Sequence, residues 1–300
     1  MRAFELRAAL VAVTLLGCGD DFLASSFLDR ARVIGAELSV VGAEERPIPG
    51  AGESVDIRWV VGRPDDTPAT WAFAACESLP SPAGRPICRE TPFAFAMSEA
   101  PSAEDPRILL DIPADIADDS GILTLGVFCA EGVPQVEALT DPSQLDADLV
   151  CSEGLGQVLT QSIGVQRDTD NRNPSWPDDA ILLEGNVWAE GDCPEVAVAA
   201  EVEITFADLP DEFRETFVRT TNDIPPRELE IRENLILSHL ATDGDLSRQF
   251  SADDGESEIR PVEWEAPEEL PAETRVRFYF GMRDQRGGAD FVTRELCVVP

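Results

Sequence analysis

The side chains that could do chemistry are few, and their spacing narrows what that chemistry could be. His239 is the only histidine in 300 residues, so any Ser-His-Asp or Cys-His relay has to pass through it. It stands in NLILSHLATDGD, near the end of an alternating apolar run, where a histidine is more often packed than catalytic. The 23 basic residues are all arginine, which removes Schiff-base chemistry and the lysine of a phosphate-binding loop. No glycine-rich loop follows a strand and opens a helix, so a nucleotide phosphate has no ready seat. Two carboxylates suffice for glycoside hydrolysis, but among 58 Asp and Glu residues composition singles out no pair. The expectation is a protein that is not an enzyme.

The oxygen donors are more concentrated. The run RDTDNRNPSWPDD, residues 167–179, places Asp168, Asp170, Asn171 and Asn173 within six residues, and calcium takes such oxygen ligands. DTDNRNP is similar to the DxNDNxP linker of cadherins, and that resemblance implies calcium held between two consecutive domains. Its leading residues are spaced differently, and Arg172 stands where another acid would serve. The competing reading is a solvated linker without metal, because Asp, Asn and Pro also fix turns through local hydrogen bonds. Asp243, Asp245, Asp253, Asp254 and Glu256 form a second acidic group that reads as solvated loops; neither group has EF-hand spacing.

The chain opens MRAFELRAALVAVTLLGCGDD: Arg2 and Arg7, an apolar run from Ala8 to Leu16, then Gly17 and Cys18. The run is too short to span a bilayer, which takes ~20 residues, and reads as a cleaved signal peptide. LLGC resembles the lipobox of bacterial lipoproteins, which implies that Cys18 becomes the acylated first residue of the mature chain. Several acyl chains at ~0.8 kcal/mol per buried methylene hold a protein durably on a membrane. Gly19 follows the cysteine where inner-membrane lipoproteins of enteric bacteria carry aspartate, so the resemblance points to the outer membrane. Cleavage after residue 17 takes two arginines and one glutamate from a net −35, leaving −36. Such a field repels nucleic acid and anionic headgroups.

Around these residues the sequence expects all-β architecture. ESVDIRWVV puts Val55, Ile57, Trp59 and Val61 on one face, the period-2 pattern of a half-buried strand. Runs near Val33, Trp71, Phe93 and Ile108, then GILTLGVFC and GQVLTQSIGV, complete seven strands, as an immunoglobulin-like sandwich requires. The pattern restarts after the linker. EVAVAAEVEITF reads as one strand with Val196, Val198, Ala200, Val202, Ile204 and Phe206 on one face. ELEIR, NLILSHL, RPVEW, RVRFYFGM and FVTRELCVV follow, with LPDEFRETFVR as a possible short inserted helix, and Gly287 and Gly288 supply a tight turn. The expected organisation is a signal peptide (1–17), a lipid-anchored tether (18–31), a first immunoglobulin-like sandwich (32–166), a linker (167–178) and a second sandwich (179–300).

Six cysteines remain after Cys18, an even number that reads as disulfides in an exported chain. The strand map favours Cys76–Cys88, Cys129–Cys151 and Cys193–Cys297, with Cys76–Cys129 and Cys88–Cys151 as the main rival. Of five tryptophans, Trp59 and Trp71 fall on core faces, whereas Trp176 in the linker is the candidate exposed ring for a sugar, and one ring is a weak platform. The tethered start, the two β-rich halves and the SHLATDGDLSRQF and MRDQRGGADFVTRELCVV segments resemble lipoproteins of myxobacteria and their relatives, a group that brings no known activity with it. The RDQRGGAD hairpin is also similar to those of bacterial immunoglobulin-like and PKD-type domains. The functional expectation is a non-catalytic, lipid-anchored envelope module whose partners are the membrane and an unknown protein or glycan. The alternative is a surface protein that binds carbohydrate or another ligand.

Overall fold

The computed structural model describes residues 25–79, 86–118, 120–135, 150–154, 156–166, 170–221, 225–284 and 286–300. Residues 1–17, expected as a signal peptide, lie outside the described residues, as do Cys18 and Asp168. The protein is all-β, and its described residues carry no helix beyond a single 3-10 turn at Asp211–Phe213.

The first half contributes β1 (Arg32–Val40), β2 (Ser54–Gly62), β3 (Thr70–Leu79), β4 (Ile87–Cys88), β5 (Ala94–Met97), β6 (Arg107–Asp111), β7 (Gly121–Cys129), β8 (Pro134–Gln135), β9 (Val150–Cys151) and β10 (Gln157–Gly164). One sheet runs β1-β2-β6 and the facing one β10-β7-β3-β4, with β5 also on β3. The alternation in β2 works as the sequence requires: Val55, Ile57, Trp59 and Val61 enter the core between these sheets, with Phe73, Ile108, Leu110, Ile122, Phe128 and Ile163. Leu123, Leu125 and Val127 share the opposite face of β7. There they pack on Ala72 and Ala74 beside the Cys76–Cys88 and Cys129–Cys151 disulfides.

The second half contributes β11 (Ile181–Leu183), β12 (Asn186–Val187), β13 (Glu195–Ala197), β14 (Glu201–Phe206), β15 (Thr216–Thr220), β16 (Glu228–Arg232), β17 (Leu235–Ala241), β18 (Asp245–Leu246), β19 (Phe250–Asp253), β20 (Val262–Glu265), β21 (Arg275–Arg283) and β22 (Ala289–Val299). Two five-stranded sheets, β12-β11-β14-β20-β18 and β13-β22-β21-β17-β19, enclose a core that includes Trp188, Trp264, Phe278 and Phe280.

Two local expectations are corrected. EVAVAAEVEITF is not one strand: Ala199 takes a positive φ of 55°, and the chain leaves one sheet as β13 and enters the other as β14. LPDEFRETFVR forms no helix. After the 3-10 turn it becomes β15, which pairs only with β16, so ELEIR builds a separate two-stranded hairpin. Cys193 lies just before β13, whose parallel pairing with β22 sets Glu195 opposite Cys297, and the Cys193–Cys297 disulfide closes that edge.

Candidate functional site: the seam between the two halves

The apolar residues of β1 and β2 that point away from the first core do not face water. Val60 packs with Ala289 and Phe291 of the second half, and Ile34 packs against both this cluster and that of Leu28, Leu240 and Tyr279. Space at the contact depends on Gly35, since a Cβ there would lie 2.2 Å from Phe291 Cζ. Residues 26–31, expected as tether, are docked: the Leu28 amide donates to Ala241 O at 2.8 Å, the Ala241 amide donates to Ser26 O at 2.9 Å, and Leu28 is 0% exposed.

Polar contacts fix the register of the two halves. The Tyr279 hydroxyl accepts from the Arg63 amide at 2.9 Å and donates to Arg63 O at 3.0 Å. The Arg283 guanidinium donates to Ile34 O at 2.8 Å, and the Phe291 amide donates to Glu37 Oε1 at 3.1 Å. Arg58 pairs with Glu37 at 3.2 Å. Burial nevertheless dominates at Glu37 and pushes its carboxyl up to about 7, with Asp290 adding to the rise. Burial likewise raises Asp284 and Asp290.

The acid- and asparagine-rich run belongs to the same seam. The Asn173 side-chain amide donates to Leu38 O at 2.7 Å and Glu44 O at 3.3 Å, and its oxygen accepts from the Ala289 amide at 3.3 Å. Asn173 therefore bridges both halves with one side chain, while its own backbone amide donates to Glu45 O at 2.7 Å. Asn171 is fully buried, and its side chain acts against the rise that burial imposes on the Asp284 carboxyl. Asp284 Oδ1 in turn accepts from the amides of Arg286, Gly287 and Gly288. It thus shapes the turn in which Gly287, at φ 116°, takes the positive angle. Gly288 is not among the positive-φ residues, so one glycine rather than two carries that requirement. The Trp176 amide donates to Asp290 Oδ2 at 2.7 Å, and its ring enters the second core at 6% exposure. That corrects the expectation of an open ring for sugar stacking.

Of the expected calcium ligands, then, Asn171 and Asn173 are turned onto protein groups, Asp170 is exposed, and Asp168 lies outside the described residues. Among the described residues no group of three or more His, Cys, Asp or Glu side chains is arranged to hold a metal. His239 is 0% exposed, stacked on Phe206 at 5.1 Å, with Nε2 3.1 Å from Ser251 Oγ. Burial, aided by the charge of Arg248, lowers its pKa to about 3.

The seam holds an open cavity of about 460 Å³. Its walls are Val33–Ala36 of β1, Trp59, Thr124, residues 159–161 of β10, and Arg283 with Gly287–Ala289 from the second half. Sequence periodicity missed this site because it assigned the off-core faces to solvent. The available signal was the apolar residues at both parities, Val60 beside Val61 in β2, which mark a strand covered on both sides.

No protein-family model matches the chain, and no curated protein matches it. A solved structure, red sea bream transglutaminase, is similar over 90% of this chain at 8% identity and a TM-score of 0.25. The chain spans about a third of that protein's length, and a likeness this loose carries no functional argument. No helix among the described residues is long and apolar enough to cross a membrane.

Proposed function

We propose that this chain is a non-catalytic, lipid-anchored module of the cell envelope, built from two immunoglobulin-like sandwiches in tandem and held on the outer membrane through Cys18. The observation that carries the reading is the hydrogen-bonded seam. Asn173, Tyr279 and Arg283 tie the halves into one body, which suits a module that presents a fixed surface to a protein or glycan partner. The burial of the sole histidine between aromatic rings is in keeping with this, since a general base must reach substrate. The lipobox-like LLGC supplies the anchor. A second reading, a ligand-binding surface protein, is favoured by the cavity in the seam.

The anchor has a direct test in a lipoprotein-processing bacterium fed an alkyne fatty acid. The wild-type chain should take the label and sediment with outer membranes, whereas Cys18→Ser should be unlabelled and leave the membrane fraction. Equal labelling of the two would remove the lipoprotein reading.

A further inference from the structure

The cavity in the seam has an unusual charge inventory. Most inward-lying arginines of this protein meet a carboxylate: Arg63 meets Asp105 at 3.1 Å, Arg286 meets Glu233 at 2.8 Å, Arg277 meets Asp66 at 2.9 Å, and Arg214 pairs with Asp253. Arg283, which lines the cavity, has no carboxylate partner among the described residues, although the chain carries 58 acidic residues to 23 arginines. Its guanidinium lies over the Phe291 ring at 5.3 Å and, among the described residues, meets a single protein acceptor, Ile34 O. Burial depresses its pKa. A partly desolvated cation held this way is unfinished electrostatically, because a hidden charge is costly unless something pairs with it.

The other walls are mainly apolar. Val33, Ile34, Ala36, Leu159 and Trp59 supply the apolar walls beside Thr124, Thr160 and Gln161, and the Thr124 hydroxyl donates to Gln161 O at 3.1 Å. A mainly apolar recess of a few hundred Å³ with one placed charge is the usual form of a small-ligand site. One guanidinium balances one negative charge, and it offers the parallel N–H pair that a carboxylate matches. A dianion would carry surplus negative charge into a protein that already has a net −35.

We infer that the inter-half cavity binds a small amphipathic monocarboxylate, its apolar body against Trp59, Leu159 and Ala36 and its carboxylate on Arg283. This goes beyond the envelope-module reading: the anchor at Cys18 and the ligand site stand or fall separately.

The test uses the mature chain carrying Cys18→Ser, titrated with octanoate, octanol and octylamine by calorimetry and by tryptophan fluorescence, to which Trp59 reports. Octanoate should bind saturably at one site, with octanol and octylamine at least about tenfold weaker, the scale of a lost charge-assisted hydrogen bond. Arg283→Gln should weaken octanoate to the level of octanol. Because Arg283 also donates to Ile34 O, Leu159→Trp is a second variant, which fills the chamber and leaves the guanidinium in place; it should abolish octanoate binding while the far-UV spectrum stays native. Equal affinity for octanoate and octanol, unchanged binding in folded Leu159→Trp, or no saturable binding in the millimolar range would each overturn the inference.

Discussion

Replacing both Cys193 and Cys297 by alanine should cost the second half about 4 to 5 kcal/mol, the largest single loss expected from a change at any of the bridges. The pair spans 104 residues, and cross-linking a loop of that length removes more chain entropy from the unfolded state than the 12- and 22-residue separations at Cys76–Cys88 and Cys129–Cys151, which are each worth about 3 kcal/mol on the same relation. Both cysteines are only partly buried, so alanine leaves no large cavity and the effect acts mainly through the unfolded chain. It also frees the β13 edge, held to β22 by a parallel ladder of only three residue pairs. Urea unfolding followed through the buried Trp188 and Trp264 should show the midpoint of the second core falling well below that of the wild type. A shift under about 1 kcal/mol would show that the ladder and core suffice without the bridge, contrary to the chain-entropy account.

The second large effect is acid lability through His239. Its folded pKa, about 3 against an unperturbed 6.5, means that between these values the unfolded chain takes up a proton that the native chain does not. The stability contributed by the neutral ring is therefore complete above pH 6.5 and is lost as the pH falls towards 3. At ~1.4 kcal/mol per pH unit the loss reaches about 3 kcal/mol by pH 4. Glu37 acts in the opposite sense. Its pKa, raised to about 7, means that the native state binds a proton before the unfolded state does, so its contribution improves as the pH falls from 7 towards 4.5. The wild-type profile alone mixes these terms, and the informative quantity is the difference from His239→Leu, which keeps an apolar group of similar size beside Phe206 and Phe280. Between pH 7.5 and 4 the wild type should lose about 3 kcal/mol more than the variant. Parallel profiles would mean that His239 is protonated in the folded chain and that its pocket is wetter than its packing implies.

Much of the first core could be read from the chain, since Val55, Ile57, Trp59 and Val61 alternate with polar residues and only one face of β2 can then be the core face. The cysteine pairs followed from which strands end beside one another. What could not be read had physical causes. The break at Ala199 carries no sequence signal, because alanine is not a residue that advertises a positive φ, and the apolar alternation runs on through it into a different sheet. ELEIR carries strand propensity, but propensity says nothing of its partner, and it pairs locally with β15. The seam was hidden for a third reason: a segment rich in Asp and Asn is polar in composition whether its amides face water or bridge two halves. Asn173 does the latter, with partners on Leu38, Glu44 and Ala289, and buried Asn171 lies against Asp284, which gives the 171–176 segment the part of a clasp rather than a free linker.

Small-angle X-ray scattering on residues 18–300 carrying Cys18→Ser, in chelator and again in millimolar calcium, would read that clasp in solution. If hydrogen bonds and the Leu28, Ile34 and Phe291 contacts hold the halves side by side, the scattering should fit one compact body, unchanged by calcium. An extended two-lobed profile in chelator that shortens or stiffens only when calcium is added would contradict it, and would return the 167–173 segment to the role of a cation-dependent joint.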